Sequence, residues 1–236
     1  FKVINTKNLL MNNNVLIFTD LDGSLLDKKK FHFTKAKKYM RELISKDVLI
    51  IPNTSKTENE IKLFLKELNL KLPFISENGS EIHNINLIKK KFPKRITLAR
   101  TKKIIYKIFE KNTDKTILDK CDFVYKMNKR NQIKVLGLRG KKLQASLKRK
   151  FTFPFIFKGS LAQKNSLLRN SSKLGISIQE GGRVMNLGDK VNKGLASRKV
   201  IKIFKNNKKN HLSTIAVGDN VNDLSMLKIS NYPCII

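Results

Sequence analysis

Three times along this chain a short, unbroken apolar run stops at a cluster of acids or hydroxyls. "VLIFT" runs into Asp20 and Asp22, "VLIIPN" into Thr54 and Ser55, and "TIAVG" into Asp219 and Asp223. Runs this short, with no alternation of polar residues, read as strands buried on both faces, the pattern of a parallel sheet. Parallel strands need crossovers, and the intervening stretches supply them. Residues 34–46 predict an amphipathic helix with Ala36, Tyr39, Met40 and Leu43 on one stripe. "TENEIKLFLKELNL" predicts a second helix that opens with acids at its positive end. "LPFISENGSEI" then predicts a third strand, with a turn at Asn78-Gly79. This alternation predicts an α/β fold: a doubly wound, Rossmann-like core.

Beyond Glu81 the texture changes to mixed short elements. Helices are expected near 99–110, 141–150 and 161–174, and strands at "IKVLGLR" (133–139) and "FPFIFK" (153–158). The expected division is a core domain of residues 1–81 and 180–236, with 82–179 inserted as a separate α+β domain. The last part returns to α/β order: a helix over 192–204, the strand "STIAVGD", a helix over 221–228 and the strand "YPCII". The chain begins on Phe1 and stops on that strand, without the helix that a closing βα unit would add, so it reads as a partial sequence.

Composition narrows the function classes less than its numbers suggest. Among 236 residues the net charge is +32, which invites a polyanion partner. The excess is spread over the whole chain, and only nine of the 50 basic residues are Arg, whereas base and phosphate readers lean on Arg forks. A bias toward Lys and Asn accounts for most of it, and nucleic acid is not the expected partner, although charge alone does not exclude it. No apolar run approaches the roughly 18–20 residues of a membrane helix, and the first residues hold too short an apolar block for a secretory signal. Cys121 and Cys234 make neither a disulfide framework nor a CxxC pair, which suits a reducing cytoplasm. His32, His83 and His211 show no metal spacing and no acid partner in the sequence, and are expected to be structural.

The chemistry lies at the strand ends. In an open parallel sheet, ligands bind outside the carboxyl ends of the strands. Two carboxylates about 4 Å apart repel by about 4 kcal/mol at an effective dielectric of about 20. Asp20, Asp22 and Asp219 together therefore call for a proton or a cation, and a hard, oxygen-rich cluster with few acids suits Mg²⁺, which often bridges to a phosphate. "DG" is also a common turn, but its recurrence with "GDNVND" at a second strand end weighs against a turn alone. Thr54, where a strand opens a helix, reads either as an ordinary cap or as a holder of a phosphoryl oxygen.

This set resembles the haloacid dehalogenase superfamily of phosphohydrolases, with "DLDGS", Thr54, Lys193 and "GDNVND" standing in order as its four motifs. Ser24 takes the place of the commoner Thr and keeps the hydroxyl. The resemblance implies that Asp20 is the nucleophile and forms an aspartyl-phosphate, and that Asp22 is the general acid and base. It further implies that Thr54 and Lys193 hold the phosphoryl oxygens, and that Mg²⁺ is bound by Asp20, the Asp22 carbonyl and Asp219, with Asp223 supporting. Thr54 and Lys193 stand 139 positions apart, far beyond the dozen or so of a crossover, so the inserted domain resembles a C2-type cap. Within the superfamily, "TSKT" (54–57), "PFISENGSEI", "GGR" (181–183) ahead of "NKG", and the ending "GDNVNDLSML…YPCII" are similar to mannosyl-3-phosphoglycerate phosphatases. That similarity implies a small phosphorylated-sugar substrate, with Ser55, Lys56, Gly182 and Arg183 on its anionic portion. A sucrose-phosphate or broad-range sugar phosphatase, and a basic nucleic-acid-binding module on the same scaffold, are the alternatives.

Overall fold

The computed structural model describes residues 15–25, 34–87, 89–205 and 212–236, and of 34–36 the backbone alone. The protein divides into two compact units, one made of the chain up to Leu98 with Asn192–Ile236, the other of Ala99–Val191.

The first unit opens with β1 (Val15–Thr19), α1 (Thr34–Ser45), β2 (Leu49–Pro52), α2 (Glu58–Leu68), β3 (Phe74–Ser76), β4 (Glu81–His83) and β5 (Arg95–Thr97). The second unit holds α3 (Lys102–Asn112), α4 (Lys115–Leu118), β6 (Cys121–Phe123), α5 (Lys129–Leu136), α6 (Gly140–Leu147), β7 (Phe153–Phe157), α7 (Leu161–Lys173), β8 (Ile176–Glu180) and β9 (Met185–Asp189). The chain then returns to the first unit with α8 (Lys193–Lys205), β10 (Ser213–Gly218), α9 (Leu224–Leu227) and β11 (Tyr232–Ile235).

The core sheet runs β11-β10-β1-β2, every neighbouring pair parallel. One parallel bridge, Asn53 to Ile75, carries it on to β3, which begins an antiparallel β3-β4-β5 sheet. The unbroken apolar runs follow from burial on both faces. In β2, Leu49 and Ile51 pack with Ala196, Val200 and Phe204 of α8, while Ile50 joins Met40, Ile44, Ile61 and Phe64 of α1 and α2. Leu16 and Phe18 of β1 are fully buried, and burying a side chain of this kind contributes about 1.5–3 kcal/mol. Helix α2 starts where Thr57 accepts from the Glu60 N–H and the Glu60 carboxylate accepts from the Thr57 N–H, a complete capping box.

The inserted unit has its own sheet, β6-β7-β9-β8, antiparallel throughout. Its core gathers Ile105, Phe109, Phe123, Phe155, Leu167, Ile176 and Leu187.

Three expectations need correction. The domain limits of 82–179 shift, because β5 pairs with β4 and keeps residues to Leu98 in the first unit, while β9 pairs with β7 and β8 and keeps 180–191 in the second. "IKVLGLR" is no strand. It lies in and just past α5, which is capped by the Asn128 side chain on the Asn131 N–H and ends on Gly137 in the left-handed conformation. On α1, Tyr39 faces solvent at 64% exposure, and Met40 and Ile44 carry the buried stripe.

Candidate active site

Asp20 stands just past β1, where its N–H extends the parallel ladder to the Val217 carbonyl at 2.9 Å. Its side chain is held at the carboxyl edge of the sheet and is nearly buried. Asp219 follows β10 on the neighbouring strand, one residue beyond the register of Asp20. The chain then turns through a 3-10 segment, Val221–Asp223, capped by Asn220. Asp223 Oδ2 accepts the N–H groups of Asp219 at 3.1 Å and Asn220 at 3.0 Å, so one carboxylate organises the loop that carries the other.

Lys193, the first residue of α8, is fully buried. Its Nζ lies 2.7 Å from Asp20 Oδ1 and 2.6 Å from Asp223 Oδ1. Burial alone would lower the ammonium pKa, but the two carboxylates more than offset it and push it above its ordinary value. Burial raises the Asp223 carboxyl, with Asp20 adding to the rise and Lys193 opposing it. Two acids share one buried cation, which leaves the cluster one negative charge in excess. Carboxylate oxygens of Asp20, Asp219 and Asp223 all lie within 4.8 Å of one another.

Asp22 is half-buried in an uneven way. Its Oδ2 meets Lys56 Nζ at 2.8 Å, while its Oδ1 is buried with no hydrogen-bond partner among the described residues. Burial pushes this carboxyl above the usual carboxylate range, Lys56 pulls it partly back, and Asp20 and Glu60 add to the rise. The buried Ser24 hydroxyl likewise has no partner among the described residues. Orphaned oxygens beside a net-negative group of carboxylates are what a hard divalent cation with water or phosphate ligands would complete.

The loop from β2 to α2 carries Thr54, Ser55 and Lys56. Thr54 is fully buried, and its Oγ1 accepts the Lys56 N–H at 3.3 Å. Lys56 Nζ also lies 3.8 Å from Glu60. Asp20, Asp22, Thr54, Ser55, Lys56, Lys193, Asp219 and Asp223 thus all belong to the first unit. Gly182 and Arg183 do not; they form the exposed connection between β8 and β9 in the inserted unit, where Arg183 Nη1 donates to the Leu136 carbonyl at 2.9 Å.

Sequence reasoning missed Asn53. Its Nδ2 donates to the Lys193 carbonyl at 3.0 Å and to Ser197 Oγ at 2.9 Å, fixing the start of α8 to the end of β2. An amide closing an otherwise apolar run was the available signal. His83 is structural, as expected, but it has acid partners that the sequence did not show: its Nε2 lies 3.2 Å from Glu81 and its Nδ1 3.8 Å from Glu58, with the ring stacked on Phe74. Glu58, Glu81 and His83 form a second group with metal-ligand spacing, but Arg95 and Lys62 each approach Glu58 Oε1 at 2.7 Å. Those cations already answer the acids, and the group reads as a structural ion-pair network. His32 and His211 lie outside the described residues.

A parallel sheet with acids at two adjacent strand ends, a buried lysine joining them and an α+β unit inserted between sheet strands defines an α/β hydrolytic enzyme of the capped kind. The chain belongs to the haloacid dehalogenase-like hydrolase family, which it matches over residues 17–236. It is 31% identical over 231 residues to a glucosyl-3-phosphoglycerate/mannosyl-3-phosphoglycerate phosphatase of Persephonella marina, covering 94% of this chain and 84% of that one. A protein of the same name from Methanococcoides burtonii is 29% identical, with the same two shares covered. Among solved structures, a haloacid dehalogenase-like hydrolase from B. subtilis superposes with a TM-score of 0.67 at 17% identity, over 92% of this chain and 87% of that one, a likeness of fold.

Proposed function

We propose that this enzyme is a Mg²⁺-dependent phosphatase that removes the phosphate of mannosyl-3-phosphoglycerate or its glucosyl analogue through an aspartyl-phosphate on Asp20. The observation that carries the reading is the gathering of the Asp20, Asp219 and Asp223 carboxylates within 4.8 Å of one another, with Lys193 bridging Asp20 and Asp223. The names of the two relatives support the substrate.

Lys193 fixes the rotation of the Asp20 carboxylate and offsets its repulsion for an incoming phosphate. Relieving about 4 kcal/mol of that repulsion is worth about three decades in rate. Asp20 attacks phosphorus as the bond from phosphorus to the C3 oxygen of the glycerate breaks. Asp22, whose carboxyl is raised by burial and sits two residues away, gives the leaving oxygen its proton and then takes one from the water that cleaves the acyl phosphate. Thr54 and the N–H groups at the start of α2 hold phosphoryl oxygens. Magnesium, when bound by Asp20, the Asp22 carbonyl, Asp219 and Asp223, supplies charge stabilisation to the transferring phosphoryl group. Lys56, Ser55, Gly182 and Arg183 are proposed to face the anionic part of the substrate, Arg183 through its bidentate fork. Two free cysteines, Cys121 buried and Cys234 exposed, support action in the reducing cytoplasm.

Orthophosphate release from a panel of phosphoesters in the presence of Mg²⁺ tests this. Fastest turnover on glycosyl-3-phosphoglycerates is expected. Equal rates on sucrose phosphate and simple sugar phosphates would retire the substrate assignment, and activity that survives Asp20→Asn would retire the mechanism.

A further inference from the structure

The turn after β3 holds three consecutive residues at positive φ: Glu77 at 46°, Asn78 at 58° and Gly79 at 98°. All three are buried. Such backbone is unfavourable for side chains other than glycine and persists only where its surroundings hold it. Here the surroundings are the loops of the site. The Asn78 N–H donates to the Thr54 carbonyl at 3.0 Å, and the Glu77 N–H to the Lys56 carbonyl at 2.9 Å. Asn78 Oδ1 accepts from Asn222 Nδ2 at 3.2 Å, inside the loop that carries Asp219 and Asp223. A Cβ on Gly79 would lie 2.2 Å from the Asn192 carbonyl oxygen, so the turn also presses on the residue before Lys193.

We infer that Asn78 is a positioning residue for the reaction, tying the Thr54 loop to the Asp219–Asp223 loop through its own backbone and side chain. It touches neither substrate nor reacting atoms. The left-handed conformation aims its main-chain N–H at one loop and its amide at the other, so the two loops keep a fixed spacing. A phosphoryl group held between Thr54 and the acids requires that spacing, and a misplacement of about 1 Å can cost about a hundredfold in rate. Asn tolerates this backbone better than most residues and brings an acceptor that Gly lacks.

This inference rests on the phosphatase reading, and the test separates the two. Asn78→Gly keeps the left-handed backbone and its N–H and removes only the amide. With the phosphoester that the wild type turns over fastest, kcat is expected to fall roughly tenfold or more while KM stays within about twofold. Asn222→Ala should reproduce that fall, and the double variant should be no slower than either single one, because one contact is being removed twice. Midpoints of thermal unfolding should fall by only a few degrees, as expected for a single hydrogen bond. An unchanged kcat in Asn78→Gly, or losses that multiply in the double variant, would overturn the inference. A wild type that releases no phosphate would remove it together with the reading beneath it, whereas an active wild type with indifferent variants removes it alone.

Discussion

Lys193 is where charge and burial meet most sharply at the residue scale. Removing one partner from a buried ionic group leaves the others uncompensated and typically costs about 3–5 kcal/mol. Lys193→Ala leaves Asp20 and Asp223 facing each other without their shared cation. Denaturant unfolding should show a loss of that size, and phosphate release should fall by about three decades. Asp20→Asn behaves differently, because the amide oxygen can still accept from Lys193 while the nucleophilic charge is gone. Turnover should fall below detection with the unfolding midpoint nearly unchanged; a variant that keeps measurable turnover would exclude Asp20 as nucleophile. The gathering of Asp20, Asp219 and Asp223 with Lys193 was legible in the sequence because strand ends and motif order mark them. The partnership of Asp22 with Lys56 was not, since it depends on how the β2–α2 loop folds back. Nor were the acid partners of His83, which come from α2 and from its own strand.

Among the elements, the parallel strands were readable and the inserted unit much less so. Unbroken apolar runs announce strands buried on both faces, as β2 is, while β1 and β10 are buried on one face and largely half-buried on the other. The hairpin β8–β9 and the short β6 carry no such run, and α5 is rich in Ile, Val and Leu, which mimics a strand. Asn128 and Gly137, its two caps, were the overlooked signals. The turn after β3 was expected as a simple reversal at Asn78-Gly79, yet it is a junction of three loops. Gly79→Ala places a methyl group against the Asn192 backbone and forces an unfavourable φ. It should lose about 1–3 kcal/mol in denaturant titrations, with kcat reduced at the same time because the start of α8 must move. A variant as stable and as active as the wild type would mean that this close approach is dispensable.

At the level of the whole molecule, the described residues form three hydrophobic clusters, two in the first unit and one in the inserted unit, in a chain whose net charge is +32. That charge should produce weak, salt-sensitive binding to polyanions that is indifferent to Asp20→Asn, measured by retention on an anionic column at rising ionic strength. The inserted unit has an acid-sensitive pair of its own. Arg100 grips Asp189 with its side chain at 2.6 Å and 3.0 Å, and its own N–H donates to the same carboxylate at 2.7 Å. Burial would raise the Asp189 carboxyl, but the hydrogen bonds from Arg100 and Lys190 outweigh it and hold the carboxyl below its ordinary value. The stabilisation is therefore complete above the unfolded carboxylate pKa of about 3.9 and drains away as pH falls through the lower folded value. Asp189→Asn should narrow the stability gap between neutral and strongly acidic solution, as followed by urea unfolding at each pH; an unchanged gap would show the pair to be inert.

The same clasp joins the second residue of the inserted unit to a residue near its end. An insertion whose extremities are already stapled together behaves as a cassette: it asks of its host only one gap of a few ångströms, not a path. Another folded segment with similarly close ends could be spliced into that gap, and the strand order of the host, with the acids it aligns, would be spared the exchange.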